Sequence, residues 1–124
     1  MVHLDTNFLV KALKPQSPEQ ARVLAWGASP TEDLGISAIA WAEFLCGPLP
    51  AHDEQKARGF FPNPEPLLAA DAELAAELFN KTGRRSKTLA DCMIAAVAMR
   101  CNAKLATANT ADFQPFVPHG LSLA

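Results

Sequence analysis

The first thirteen residues, Met1-Val2-His3-Leu4-Asp5-Thr6-Asn7-Phe8-Leu9-Val10-Lys11-Ala12-Leu13, decide how the rest of the chain is read. Met1 to Leu4 is short and apolar, as a buried strand is. Asp5-Thr6-Asn7 breaks the run with residues that favour turns and helix caps. Phe8 to Leu13 follows as a first predicted helix, and Pro15 stops it because proline supplies no backbone N–H. A strand that ends in a polar turn and feeds a helix opens a βα unit.

The same alternation recurs downstream. Ser17-Pro18-Glu19-Gln20 is a strong helix start, with Ser as cap, Pro at the first helical position and Gln three residues after the cap, and the helix is expected to reach about Ala28. Leu34 to Ser37 reads as a buried strand and Ile39 to Cys46 as a helix ended by Gly47-Pro48. Residues 48 to 66 hold five of the ten prolines, which predicts a loop around one short helix near Asp53 to Phe60. Pro66 to Leu68 is expected to form a brief strand. Asp71 is expected to cap a helix carrying Leu74, Leu78 and Phe79, closed by Gly83. Thr88 opens the most apolar helix, through Arg100. Ala103 to Thr107 is a strand, Asn109 to Asp112 a turn, and a last strand falls within Phe116 to Leu123. Strands alternating with helices predict an α/β fold in three layers, α/β/α, around a short central parallel sheet. Ligands of such sheets bind beyond the carboxyl ends of the strands.

A length of 124 residues is expected to form one domain, residues 1–124, and 49% apolar composition supplies its core. No repeat or low-complexity tract interrupts it. The net charge of −2 argues against nucleic-acid binding through bulk positive charge, so any such contact needs a local patch or a metal. The first ten residues carry no basic flank and no small-residue cleavage site, and no stretch is long enough to span a membrane. Cys46, Cys92 and Cys101 lack metal-ligand spacing and each sits in an apolar helical context, which predicts reduced core thiols and a cytoplasmic location.

Nine of the thirteen acids lie in polar stretches where a solvated surface explains them, and four do not. Asp5 is the only charged side chain among the first ten residues. Glu43 is alone between Leu34 and Pro50, and Asp91 alone between Leu89 and Met99. Asp112 is the only acidic or basic residue from Leu105 onward, His119 aside. An unpaired carboxylate in apolar surroundings favours its protonated form. Four of them at strand ends and helix starts suggest one shared divalent cation. Each also has a local reading. Asp5 can cap the helix at Phe8. Thr88 to Asp91 and Asn109 to Asp112 both have the shape of a capping box. Glu43 lies beyond the reach of a cap and can be a surface residue.

At these positions the chain resembles a PIN domain, and within that family the VapC-type ribonuclease toxins of toxin–antitoxin pairs. The resemblance rests on Leu4-Asp5-Thr6-Asn7, Trp41-Ala42-Glu43-Phe44, Leu89-Ala90-Asp91-Cys92-Met93-Ile94-Ala95-Ala96 and Ala106-Thr107-Ala108-Asn109-Thr110-Ala111-Asp112-Phe113. Together these blocks cover essentially the whole chain. The likeness implies a PIN-like fold and a metal-dependent endoribonuclease. It implies Asp5 and Asp91 as principal Mg²⁺ or Mn²⁺ ligands, with Glu43 and Asp112 as the third and fourth acids, all four being candidate catalytic and metal residues. Thr6, Asn7, Thr107 and Asn109 match supporting polar positions. The likeness further implies a homodimer, an RNA substrate and a cognate antitoxin protein that inserts a C-terminal segment near the site. The proline-rich segment at Pro48 to Pro66 looks shorter and stiffer than in many relatives.

Two ions about 3.5–4 Å apart would stabilise the entering and leaving oxygens of an in-line displacement, with products carrying a 5′-phosphate and a 3′-hydroxyl. Glu43 could accept a proton from the attacking water. An acidic site repels RNA, and Lys81, Arg84, Arg85 and Lys87 form the only basic run free of acids, so Arg84, Arg85 and Lys87 are candidate RNA-binding residues; a solvated helix end is the alternative. His3, His52 and His119 are expected to be packed or surface residues. A receiver domain needs an acidic pair after the first strand, and dehalogenase-type phosphatases need Asp-x-Asp where Asn7 stands. Glycine-rich phosphate loops are absent. The alternative reading is a non-catalytic PIN-like module that binds RNA or protein.

Overall fold

The computed structural model describes residues 1–85 and 88–124. Four strands, β1 (Val2–Leu4), β2 (Leu34–Gly35), β3 (Lys104–Ala106) and β4 (Ser122–Leu123), form one parallel sheet in the order β2-β1-β3-β4. Seven α-helices accompany them among the described residues: α1 (Thr6–Ala12), α2 (Pro18–Ala28), α3 (Ala38–Leu45), α4 (Ala51–Phe60), α5 (Ala69–Lys81), α6 (Leu89–Arg100) and α7 (Thr110–Phe113). The predicted α/β architecture is what forms. Val2, His3 and Leu4 are buried in succession, and since neighbouring strand residues point to opposite faces, both faces of the sheet are covered.

Local chemistry explains the helix starts. Ser17 Oγ accepts the Gln20 amide at 3.0 Å and Ser37 Oγ the Ala40 amide at 3.1 Å, each cap worth about 1 kcal/mol. Asp5 starts α1 two residues before the expected Phe8, because its carboxylate accepts the Phe8 amide at 2.7 Å. Helix α6 is the centre of the core, with Cys92 and Ile94 to Ala98 all buried. Its run of alanines lets α5 pack closely against it.

Several expectations are corrected. The strand predicted at Pro66 to Leu68 does not form; the sheet is extended by one bridge, Ser37 to Glu65, with Glu65 N–H donating to Ile36 O at 2.8 Å and Ala38 N–H to Glu65 O at 2.7 Å. Pro62, Pro64 and Pro66 have no N–H, so Glu65 is where a ladder bond can be made. The turn at Asn109 to Asp112 is the short helix α7, followed by a 3₁₀ segment over Gln114–His119. Cys46 is exposed rather than in the core, whereas Cys92 is buried; all three thiols are free.

Asp71 departs furthest. It lies inside α5 rather than at its cap, and it is 1% exposed although it belonged to the acids assigned to solvent. Its carboxylate accepts the Leu68 amide at 2.9 Å and the Arg100 Nε–H at 2.8 and 2.9 Å. Arg100 also donates to Pro66 O at 3.1 Å and to Glu65 at 3.4 Å. Beside this cluster His3 is buried, with neither ring nitrogen hydrogen-bonded. Its ring occupies the space over Gly35, where a Cβ would stand 2.8 Å from His3 Cδ2, so glycine is needed there for the close approach.

Candidate functional site

The strand order places β1 between β2 and β3. The chain leaves β1 for β2 on one side and later returns to β3 on the other, so the carboxyl ends of β1 and β3 flank the switch point where open sheets bind ligands. Asp5 follows β1 directly and Thr107 follows β3, and the Asp5 N–H donates to Ala106 O at 3.0 Å. Helices α3 and α6 begin at this same edge, which brings Glu43 and Asp91 to it, and α7 adds Asp112.

These four carboxylates line one cleft of about 300 Å³ together with Thr6, Asn7, Asn109, Ile94 and Phe113. Among the described residues no lysine, arginine or histidine lines it. Asp5 is 4% exposed; Asp91 is half-buried; Glu43 and Asp112 are exposed. Asp5 Oδ1 accepts the Phe8 amide, and Oδ2 accepts the Thr107 hydroxyl. Thr107 Oγ1 in turn accepts the Asn109 amide at 2.9 Å, which ties the loop after β3 to Asp5. The Thr6 hydroxyl lies 3.0 Å from Glu43 Oε1 and 3.1 Å from Ala40 O, so its one hydrogen can aim Glu43 into the cleft.

The competing local readings resolve unequally. Asp5 does cap α1, and it also faces the cleft. Thr88 makes no side-chain cap; its hydroxyl donates to Arg85 O at 2.7 Å, so no capping box employs Asp91. Nor does Asn109 cap α7 with its side chain.

Burial and like charge both favour the protonated carboxyls in this cleft. Burial holds the Asp5 carboxyl above the usual carboxylate range; the Thr107 and Phe8 hydrogen bonds oppose this, and the charges of Glu43 and Asp112 add to it. Asp91 is pushed up to about 6, by burial first and then by the charges of Glu43, Asp112 and Asp5. Among the described residues no three His, Cys, Asp or Glu side chains stand close enough to enclose an ion unaided. A hard ion such as Mg²⁺ does not need three: it commonly keeps several waters and takes one or two carboxylates. The oxygen donors, the missing counter-charge and the raised Asp91 fit such an ion.

The basic residues separate. Arg85 lines a small groove with Thr82, Thr88, Ala111, Asp112, Pro115 and Phe116, so it adjoins the acid cleft at Asp112. The Arg84 guanidinium turns back onto α5, with its Nε–H donating to Asn80 Oδ1 at 3.2 Å. Lys81 is exposed at the end of α5, and Lys87 lies outside the described residues. Ile94 and Phe113 are the cleft residues that the sequence did not single out. Each lies within one helical turn of a lone acid, Ile94 three residues after Asp91 and Phe113 directly after Asp112, and that spacing was the available signal.

Comparison with solved structures gives matches along the whole chain. FitAcB from Neisseria gonorrhoeae is 28% identical, with a TM-score of 0.73 over 99% of this chain and 96% of that one. A toxin–antitoxin complex from Klebsiella pneumoniae is also 28% identical, with a TM-score of 0.72 over 91% of this chain and 90% of that one. VapBC2 from Rickettsia felis, solved bound to a DNA fragment from their promoter, is 22% identical with a TM-score of 0.76, covering 100% of this chain and 98% of that one, and speaks for the fold alone. No curated protein matches the sequence. The sequence matches the PIN domain family over residues 2–114, which spans β1 to α7 and all four acids of the cleft: the chain belongs to the PIN domain family.

Proposed function

We propose that residues 1–124 act as one nuclease domain, a divalent-metal-dependent endoribonuclease that serves as the toxin of a toxin–antitoxin pair. The observation that carries this reading is the convergence of four isolated carboxylates, from four separate elements, on one cleft without a cation of its own. The toxin assignment is supported by the relatives, whose solved structures include a toxin–antitoxin complex.

In this reading Asp5 and Asp91 hold Mg²⁺ or Mn²⁺, with Glu43 and Asp112 completing the acid set. The ion supplies charge neutralisation at the scissile phosphate and acidity to water. Thr107 and the Phe8 amide fix both Asp5 oxygens, so Asp5 is positioned before any ligand arrives. Thr6 orients Glu43, which is exposed and able to accept a proton from the attacking water. Asn7 and Asn109 offer amide groups to the substrate at the rim. Arg85, flanked by Arg84 and Lys87, neutralises RNA phosphate beside Asp112. In-line attack leaves a 5′-phosphate and a 3′-hydroxyl.

The cognate antitoxin is proposed to cover the apolar surface of α2 and α4 around a small cavity of about 30 Å³, where Leu24 is 59% exposed and Phe60 41%. Family likeness supports a homodimer. No helix among the described residues is long and apolar enough to cross a membrane.

Digestion of single-stranded RNA by the purified chain, with Mg²⁺, with Mn²⁺ and with EDTA, tests the reading. Metal-dependent internal cleavage leaving 5′-phosphate ends is expected. RNA that is bound but never cut with either metal would favour the non-catalytic module.

A further inference from the structure

We propose that the groove between α1 and α2, carrying Lys11 and Arg22, holds a backbone phosphate of the RNA strand whose scissile bond lies over the acid cleft; this rests on the nuclease reading above. The connection from Thr107 to Asp112 floors three depressions in turn. Thr107 and Ala108 line the first with Phe8, Lys11, Pro18, Glu19 and Arg22, about 220 Å³ in volume. Asn109 and Asp112 line the acid cleft. Ala111 and Asp112 line the third, which holds Arg85. Five residue steps span at most about 17 Å, so the two cationic grooves lie within reach of one short strand crossing the acids.

The chemistry of the first groove suits a phosphodiester. The Arg22 guanidinium lies 4.7 Å from the Trp26 ring centroid and 5.5 Å from that of Phe8, so aromatic faces hold its plane and its N–H edges stay available for an oxyanion. Among the described residues neither Lys11 nor Arg22 forms an ion pair. Glu19 shares the groove, and two cations against one carboxylate leave it net positive. The helix dipole accounts for a lysine in the last turn of α1, but not for an arginine in the middle of α2 facing the same space. A cleft of four acids repels a polyanion, and cations at the Thr107 end as well as the Asp112 end would keep the strand across it.

The test is binding of a fluorescein-labelled single-stranded RNA to the full chain in EDTA, followed by anisotropy across a salt series. Losing the neutralisation of one phosphate of single-stranded RNA lowers the slope of log K against log salt by about 0.7. Because both side chains meet the same phosphate, Lys11→Gln/Arg22→Gln is expected to lower it by about 0.7, and Lys11→Gln alone by a measurable fraction of that. The single variant guards against loosened α1–α2 packing, since the exposed Lys11 side chain is not stacked on Trp26. If wild type cuts RNA with metal but the slopes coincide, the groove does not hold the substrate, whether or not binding of a protein partner changes. If wild type neither binds RNA in EDTA nor cuts it with metal, the nuclease reading falls and takes this proposal with it.

Discussion

The two ends of α6 treat buried carboxylates in opposite ways. Near its C-terminus Arg100 reaches across to Asp71, which is fully buried, doubly bonded by one guanidinium nitrogen and also capped by the Leu68 amide. Near its N-terminus Asp91 meets Asp5, Glu43 and Asp112 with no cation among the lining residues described. In the first arrangement the buried carboxylate has its cation, and the work of the pair is to join α5, α6 and the Glu65 segment. The second is incomplete: its hydrogen bonds fix Asp5 but leave net negative charge, and the fold tolerates this by holding protons on Asp5 and Asp91 more tightly than usual. A carboxylate that the protein itself neutralises serves the structure, whereas one left without a partner awaits something from outside.

The sharpest way to break this contrast is to neutralise one acid at each end. Asp5→Asn is expected to lower the rate of RNA cleavage by more than the ~100-fold that loss of an outer-shell partner reaches. Its melting temperature should hold or rise, because asparagine can still accept the Phe8 amide and one like charge has gone. Asp71→Ala should do the reverse, losing about 1–3 kcal/mol of stability by stranding the part-buried Leu68 amide and the Arg100 guanidinium, with cleavage per folded molecule retained. Thermal melts and rates normalised to folded protein read both; equal loss of activity in the two variants would erase the distinction.

A smaller effect, of opposite sign at the two ends, is expected from pH. Asp91 has a folded pKa raised to about 6, so the folded state binds the extra proton and its contribution to stability is full below the unfolded value of 3.8 and lost as pH rises through about 6. In EDTA, Asp91→Asn should therefore raise the melting temperature at pH 7.5 and give almost no gain near pH 4. Added Mg²⁺ should narrow the difference at pH 7.5 by stabilising wild type. His3, beside the paired cluster, is lowered from 6.5, chiefly by burial. Its folded pKa lies below the unfolded one, so its contribution is present above pH 6.5 and is lost as pH falls through the folded value. His3→Leu should flatten the acid side of the profile and leave the alkaline side alone. Melts from pH 4 to 8 that show no such separation would refute both assignments.

The smallest effect concerns the basic run. Arg85 shares a groove with Asp112, while Arg84 is tethered to Asn80, so Arg85→Ala should lower the salt slope of RNA binding by about 0.7 and Arg84→Ala by much less. Equal slopes for the two variants would mean that the tether does not decide which arginine meets phosphate.

The acid cleft was legible before any coordinates because its members break the local hydrophobic pattern. Asp91 stands alone in an eleven-residue stretch without another charge, and Glu43 alone between Leu34 and Pro50. The paired cluster was not legible for the complementary reason. Asp71 and Arg100 each sit in company that excuses a charge, Asp71 at a helix start and Arg100 at a helix end. Nothing in either stretch announces that the two would meet across 29 positions. The proline-rich segment misled in the same way: Pro66 to Leu68 read as a brief strand, but the place of Glu65 beside Ile36 and Ala38 decided that a single bridge forms at Glu65 instead.

The alternation of short apolar strands with capped helices, and the four acids set apart from other charges, follow from the order of residues alone. Both are read from neighbours along the chain, where strand and helix periodicities and caps act over a few residues. Which acids share a cleft, which one finds an arginine, and which cations flank the substrate path are decided by the sheet order β2-β1-β3-β4 and by the packing of α6 against it. Electrostatic pairing depends on distance through space, and only the folded chain sets that distance.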